Sequence, residues 1–212
     1  MREQTENAYR DREPILSATA RLLEDELRDS LRGIDHIDRI SCRAKSISSF
    51  IGKAFDPENN PAYTDPLSEI EDQVAGRVIV FFLGDISIIR DRLRKCFTPV
   101  EFRQRRPAKD QEFGYESEHL VCVIPPQVKT PEWLARHDMP ATVEFQIRTI
   151  FMHAYAEPQH DTGYKAADEL PSKIRRELAW IAASAWGADQ AYERFAEWRK
   201  DQHSPVSPKP AA

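Results

Sequence analysis

The stretch VEFQIRTIFMHAYAEPQH, residues 143–160, begins with an alternation: Val143, Phe145 and Ile147 are apolar, Glu144, Gln146 and Arg148 polar. Period two marks a half-buried strand, so a carboxylate, an amide and a guanidinium stand in a row on one face. Such a row is either a solvated strand face or a reaction centre, where a carboxylate takes a proton or holds a cation and a guanidinium holds an anion. Other candidates lie elsewhere. SCRAKSISSFIGK sets Arg43, Lys45, Ser46 and Lys53 around a helix start, where free N–H groups and the helix dipole favour anions. IEDQVAGRVIVFF puts Asp72 just ahead of an apolar strand and Arg77 at its start. A carboxylate there suits Mg²⁺ when phosphate oxygens supply the other positions. FGYESEHL holds Tyr115 on a glycine-preceded turn, with His119 four residues on; an exposed aromatic on a turn can stack on a base. A solvated basic stretch, a loop aspartate and a packed tyrosine are the plain alternatives, and no single piece decides.

These residues need elements to position them. Leu16, Ala20, Leu23, Leu27 and Leu31 recur at helical spacing, which predicts an amphipathic helix over 14–32 with Pro14 in its first turn. IDHIDRISCRAKS reads as a short strand running into a helix that starts near Ser46, and residues 56–66, rich in Pro and Asn, as a loop. GRVIVFFL is a continuous apolar run, the pattern of a central strand buried on both faces. DISIIRDRLRKCF reads as a helix capped by Asp85. Strands are predicted over 118–124 and 142–147, joined by a Pro-rich excursion, with a helix from about Thr149. The last long helix runs over about 172–201, with Ile174, Leu178, Ile181, Ala185 and Ala188 on one face, and a Pro-rich disordered tail follows. The fold class is α/β (α+β): an N-terminal helix (1–33), a core around one sheet (34–170), a C-terminal helix (171–201) and a tail (202–212).

Composition bounds the function. The chain has 212 residues, 41% hydrophobic and 31% charged, as in a soluble globular protein. No apolar run reaches membrane-spanning length, and MREQTENAYRDRE lacks the apolar core of a signal peptide. Cys42, Cys96 and Cys122 are odd in number and widely spaced, which points to free thiols in the reducing cytosol rather than disulfides or zinc. A cytoplasmic location is the expectation. A net charge of -5 argues against a dedicated nucleic-acid binder.

Taken in order, the motifs R-x-K-S, D-x4-R before an apolar strand, G-Y-x-S-x-H, E-x-Q-I-R-T and H-x3-Y-K resemble the synthetase domain of the RelA/SpoT family. The residues that carry this are Arg43, Lys45 and Ser46; Asp72 and Arg77; Gly114, Tyr115, Ser117 and His119; Glu144, Gln146, Ile147, Arg148 and Thr149; and His160, Tyr164 and Lys165. The resemblance covers roughly 34–165 and implies a single mixed sheet flanked by helices, in the nucleotidyltransferase-like style. No His-Asp hydrolase module stands before Arg43 and no regulatory domain follows, so a small, stand-alone alarmone synthetase is the expectation. The family reaction moves the β,γ-pyrophosphate of ATP onto the 3′ hydroxyl of GDP or GTP.

By resemblance, Arg43, Lys45, Ser46, Lys53 and Arg77 would bind ATP. Asp72 would ligate Mg²⁺, and Glu144 would be a second metal ligand or the base for the 3′ hydroxyl. Tyr115, His119, Gln146, Arg148, Lys109 and His160 would face the acceptor nucleotide. Small synthetases of the family are often homotetramers, which makes assembly through the C-terminal helix an expectation. The family also includes toxic members that pyrophosphorylate tRNA 3′ ends or use adenosine nucleotides. Arg103, Arg105, Arg106 and Lys109 form the one dense basic cluster before Tyr115 that could guide such an RNA. Three departures bear on the acceptor: RRPAKDQEFGY differs from the usual loop, Gln159 stands where Glu is common, and an acidic Glu118 adjoins His119.

Overall fold

The alternation in TVEFQIRT folds as a strand whose apolar members, Val143, Phe145 and Ile147, are fully buried. The computed structural model describes residues 1–57, 62–107, 112–114, 116–161 and 170–203, with the side chains of 159–161 and 203 outside that description. In chain order the elements are α1 (Arg2–Ser30), β1 (Ile37–Ala44), α2 (Ile47–Ala54), α3 (Pro66–Glu69), β2 (Val74–Val80), α4 (Leu83–Cys96), β3 (Pro99–Arg105), β4 (Ser117–Val123), α5 (Pro131–Leu134), β5 (Thr142–Thr149), α6 (Ile150–Asp161) and α7 (Ser172–His203). One five-stranded sheet has the order β1-β2-β5-β4-β3. β2 and β5 run parallel, and the other neighbours are antiparallel. The fold class read from the pattern is therefore present: a mixed sheet flanked by helices, ending in a long C-terminal helix.

The apolar face of the sheet, including Val78, Phe145, Ile147 and Leu120, packs with residues of α1 and α4 into one core. Each fully buried side chain of this size contributes about 1.5–3 kcal/mol. The opposite face carries the polar residues of β5 and its neighbours. Among the described residues, no helix is long and apolar enough to cross a membrane.

Four expectations need correcting. Helix α1 starts at Arg2, so Pro14 lies in its interior rather than its first turn. An interior proline costs about 3 kcal/mol, and tertiary contacts offset it: upstream of Pro14, Tyr9 and Arg12 are buried at 0% and 1% exposure. Strand β3 is not predicted at all. It is an edge strand with its only aromatic, Phe102, covered by the Arg94 guanidinium 4.9 Å from the ring centre. Asp85 is not the cap of α4; Phe82 holds that position, and Asp85 lies in the first turn. The acceptor for a free N–H there comes from α7, where Glu193 Oε2 accepts from the Gly84 N–H at 2.9 Å. Finally, α7 is rotated from the predicted face. Ile174 and Ile181 are exposed while Ala182 and Asp189 are buried, because Glu193 and a hydrogen bond from the Thr149 hydroxyl to Asp189 (2.7 Å) set its orientation.

Candidate active site

Strand pairing decides which side chains share the open face. Ser41 lies opposite Arg77 and Arg43 opposite Ala75 across β1 and β2; Ala75 lies beside Glu144 and Arg77 beside Gln146 across β2 and β5. His119 pairs with Gln146, and Arg103 with His119. Paired residues project to the same side of a sheet, so Arg43, Arg77, Glu144, Gln146, Arg148 and His119 line one surface. The polar row in β5 thus lies on the same sheet face as the basic residues of β1 and β2, and its Gln146 lines one cleft with Ser41, Arg43, Lys45, Asp72 and Arg77.

On the β1–β2 side the cleft is built around Asp72. The chain enters β2 through a 3-10 turn, Glu71–Gln73, in which Asp72 has φ -89° and ψ 29°. Its two oxygens accept from Lys45 Nζ (2.7 Å) and Lys53 Nζ (2.9 Å). Burial pushes the Asp72 carboxyl up, but the two ammonium groups outweigh it and hold the group below its usual value. Asp72 is therefore ionised at neutral pH. Ser46 caps α2, its hydroxyl accepting from the Ser49 N–H at 3.2 Å. Arg43 is exposed and makes no ion pair among the described residues. Arg77 Nη1 contacts Glu157 Oε1 of α6 at 2.8 Å.

Behind this cluster stands support that the sequence reading omits. The Tyr9 hydroxyl donates to the Lys45 carbonyl at 2.8 Å, and its ring stacks on Phe50 at 3.8 Å. Arg12, three residues on and hence on the same helix face, donates to Gln73 Oε1 at 3.3 Å and to the Leu67 carbonyl at 3.2 Å. Gln73 in turn donates to the Leu67 and Ile70 carbonyls. One turn of α1 therefore fixes both the Lys45 backbone and the turn that carries Asp72. No local pattern marks these residues; the signal is only two large side chains, Tyr9 and Arg12, in a polar run.

On the β4–β5 side the polar row is joined by hydrogen bonds. Arg148 Nη2 donates to Gln146 Oε1 (2.5 Å), and Gln146 Nε2 donates to Glu144 Oε2 (3.3 Å). Glu144 Oε1 is 2.8 Å from His119 Nδ1, and His119 Nε2 is 2.6 Å from Ser117 Oγ. Burial raises the Glu144 carboxyl, and His119 more than offsets this, leaving it below the ordinary value. The charge of Asp72 also pushes Glu144 upward, so the two carboxylates feel one another across the cleft.

The departures resolve in part. Glu118 projects to the opposite sheet face, where Arg90 of α4 donates to both its oxygens at 3.0 and 3.1 Å. It is absent from the reaction surface. Arg103 is paired with Glu71 (2.8 Å) and Glu101, so the basic cluster on β3 is partly neutralised. Tyr115, Lys109, Tyr164 and Lys165 and the side chains of Gln159 and His160 lie outside the described residues. Among the described residues, no three His, Cys, Asp or Glu side chains are grouped to hold a metal. A cation at Asp72 and Glu144 would need oxygens from a bound substrate.

The family model described as "Region found in RelA / SpoT proteins" matches residues 42–169. GTP pyrophosphokinase YjbM of Bacillus subtilis (strain 168) is 33% identical over 181 residues, spanning 78% of this chain and 80% of its own. The crystal structure of small alarmone synthetase 1 from Bacillus subtilis superposes with a TM-score of 0.68 at 28% identity, over 86% of this chain and 95% of that one. Its complex with the product pppGpp gives 0.65 at 27% identity over the same shares. The matched region runs from the strand bearing Arg43 past the polar row of β5, and the chain belongs to the RelA/SpoT family.

Proposed function

We propose that this chain is a (p)ppGpp synthetase, transferring the β,γ-pyrophosphate of ATP to the 3′ hydroxyl of GDP or GTP. The observation that carries the reading is the place of Glu144: an ionised carboxylate on a face shared with Arg43 and Arg77, close enough to feel the charge of Asp72, which Lys45 and Lys53 hold. Transfer of a phosphoryl-type group rests on positioning and on neutralising charge. Arg43, Lys45, Ser46, Lys53 and Arg77 hold ATP. When its phosphates draw Lys45 and Lys53 toward them, the oxygens of Asp72 are released from those ammonium groups. Asp72 and Glu144, both below the usual carboxylate range, are fit to hold Mg²⁺ together with phosphate oxygens. When bound, that cation offsets phosphate charge on the transferring group.

The acceptor enters from the β4 side, against Gln146 and Arg148, and by resemblance Tyr115, Lys109 and His160 complete its site. Its 3′ oxygen attacks the β-phosphorus and gives its proton to Glu144. A new O3′–P bond forms, and the bond between the β-phosphorus and the α-phosphate oxygen breaks, its electron pair leaving with AMP. Incubation with ATP and each of GDP, GTP, AMP, ADP, ATP and deacylated tRNA, followed by product chromatography, tests this. Formation of ppGpp or pppGpp with AMP supports the reading. Labelling of tRNA alone, or products from adenosine acceptors alone, replaces it with the toxin-type alternative. The pairing of Arg103 with Glu71 and Glu101 disfavours an RNA path over β3.

Assembly is part of the proposal. Trp180, Trp186, Phe195 and Trp198 of α7 are all exposed, more aromatic surface than one terminal helix requires, and we assign it to contacts with further copies of the chain. Light scattering at micromolar concentration should give a multiple of the monomer mass, with a homotetramer expected; a monomer mass refutes it.

A further inference from the structure

We propose that Ser117 and His119 are positioning residues that orient Glu144 and do not themselves touch the acceptor; this rests on the synthetase reading above. Both are buried, at 4% and 5% exposure, on the strand next to β5. His119 Nδ1 lies 2.8 Å from Glu144 Oε1, and Nε2 lies 2.6 Å from Ser117 Oγ. The polarity of this chain follows from chemistry. An ionised carboxylate only accepts hydrogen bonds, so Nδ1 carries a proton. Ser117 Oγ, 2.6 Å from Nε2, holds the other edge of the ring. Ser117 thereby fixes the ring orientation that presents Nδ1 to Glu144.

Both ring nitrogens are occupied within the protein, so neither is available to an acceptor phosphate or base. The carboxylate is also made asymmetric. Oε1 is held by the short contact to His119, while among the described residues Oε2 has only the 3.3 Å contact from Gln146. Oε2 is therefore the oxygen presented to substrate, and Gln146, itself fixed by Arg148 at 2.5 Å, sets its direction. A carboxylate free to rotate would sample the correct angle only part of the time, and misplaced catalytic groups cost rate rather than binding. Partners of this outer kind typically contribute about 10–100-fold in activity.

The test uses the full chain with ATP and GDP, measuring kcat, both KM values, ATP affinity by calorimetry and the melting temperature. His119→Ala is expected to lower kcat by about 10–100-fold, with both KM values and ATP affinity within about threefold of wild type. His119→Asn, whose amide N–H replaces the Nδ1 donor, should recover most of that loss. Ser117→Ala should reduce kcat about tenfold by freeing the His119 ring to turn. A wild-type kcat in His119→Ala, or a loss confined to the GDP KM, overturns the inference; the second result would mean that His119 binds the acceptor directly. If His119→Ala does not fold, Ser117→Ala decides: lowered kcat at unchanged KM supports the role, and unchanged kcat overturns it. Absence of pyrophosphate transfer by the wild type would instead remove the synthetase reading on which the inference rests.

Discussion

Replacing Asp189 by Asn should stabilise the protein at neutral pH, although it removes a buried residue's native side chain. Asp189 of α7 is 1% exposed; its Oδ2 accepts from the Thr149 hydroxyl at 2.7 Å, and its Oδ1 has no hydrogen-bond partner among the described residues. Burial pushes its carboxyl from 3.8 up to about 6; the Thr149 hydroxyl pulls the other way, and the charges of Glu116 and Glu193 add to the rise. Between those values the folded chain keeps a proton that the unfolded chain has released. Stability therefore falls as pH rises through that window, and the whole penalty is present above about pH 6. A rise from 3.8 to about 6, at about 1.4 kcal/mol per pH unit, gives a ceiling of about 3 kcal/mol. The Asn variant keeps an oxygen for Thr149 and never ionises. Urea unfolding of both proteins between pH 4.5 and 7.5, values set around the window, should show a gap that widens with pH and levels off near neutrality, at about 1–3 kcal/mol. A gap that does not change with pH would refute the argument, since it would mean that Asp189 ionises as an exposed aspartate does.

Asp72→Asn and Glu144→Gln should each reduce transfer by about 10²-fold or more, while circular dichroism melts show an intact fold; near wild-type turnover in either would dismiss the two-carboxylate mechanism. Tyr9→Phe keeps the ring against Phe50 but removes the 2.8 Å hydrogen bond to the Lys45 carbonyl. It should cost about 1 kcal/mol in denaturant unfolding and raise the KM for ATP with little change in that for GDP. Gly76→Ala should destabilise by about 1–3 kcal/mol, because a Cβ there would lie 2.6 Å from Phe145 Cδ1 and 3.2 Å from Cys42 Sγ; unfolding at the wild-type urea midpoint would show that the Phe145 ring yields freely.

Strand β5 is legible because its core face and its chemical face alternate without interruption, and the register of any correct pairing then keeps Glu144, Gln146 and Arg148 together. Strand β3 is not legible. PVEFRQR carries two apolar side chains beyond its proline, and Val100 is 57% exposed, so an edge strand roofed by guanidinium groups leaves no burial pattern to read. The first turns of α1 fail for a related reason: REQTENAYRDRE has almost no apolar periodicity, and the helix persists there through Tyr9 and Arg12, whose partners lie 36 and 61 residues away. The face of α7 is misjudged because hydrophobicity selects Ile174 and Ile181, whereas the docked face is chosen by polar groups, Asp189 and Glu193, that a hydrophobic pattern cannot weigh.

The candidate site divides along the same line. Residue types and order name its carboxylates and cations, but their pairings depend on sheet order. Asp72 meets Lys45 across 27 residues and Lys53 across 19, and Arg77 meets Glu157 only because α6 returns beside β2 after the parallel β2–β5 crossover. That crossover also has a functional consequence. In the order β1-β2-β5-β4-β3, β5 is the central strand, with the Arg77-bearing β2 on one side and the His119-bearing β4 on the other. A group transferred between two nucleotides must pass a residue within reach of both, and a side chain on β5 meets that condition by topology. Exchange β5 with either neighbour, and Glu144 would no longer stand between the strand that bears Arg77 and the strand that bears His119.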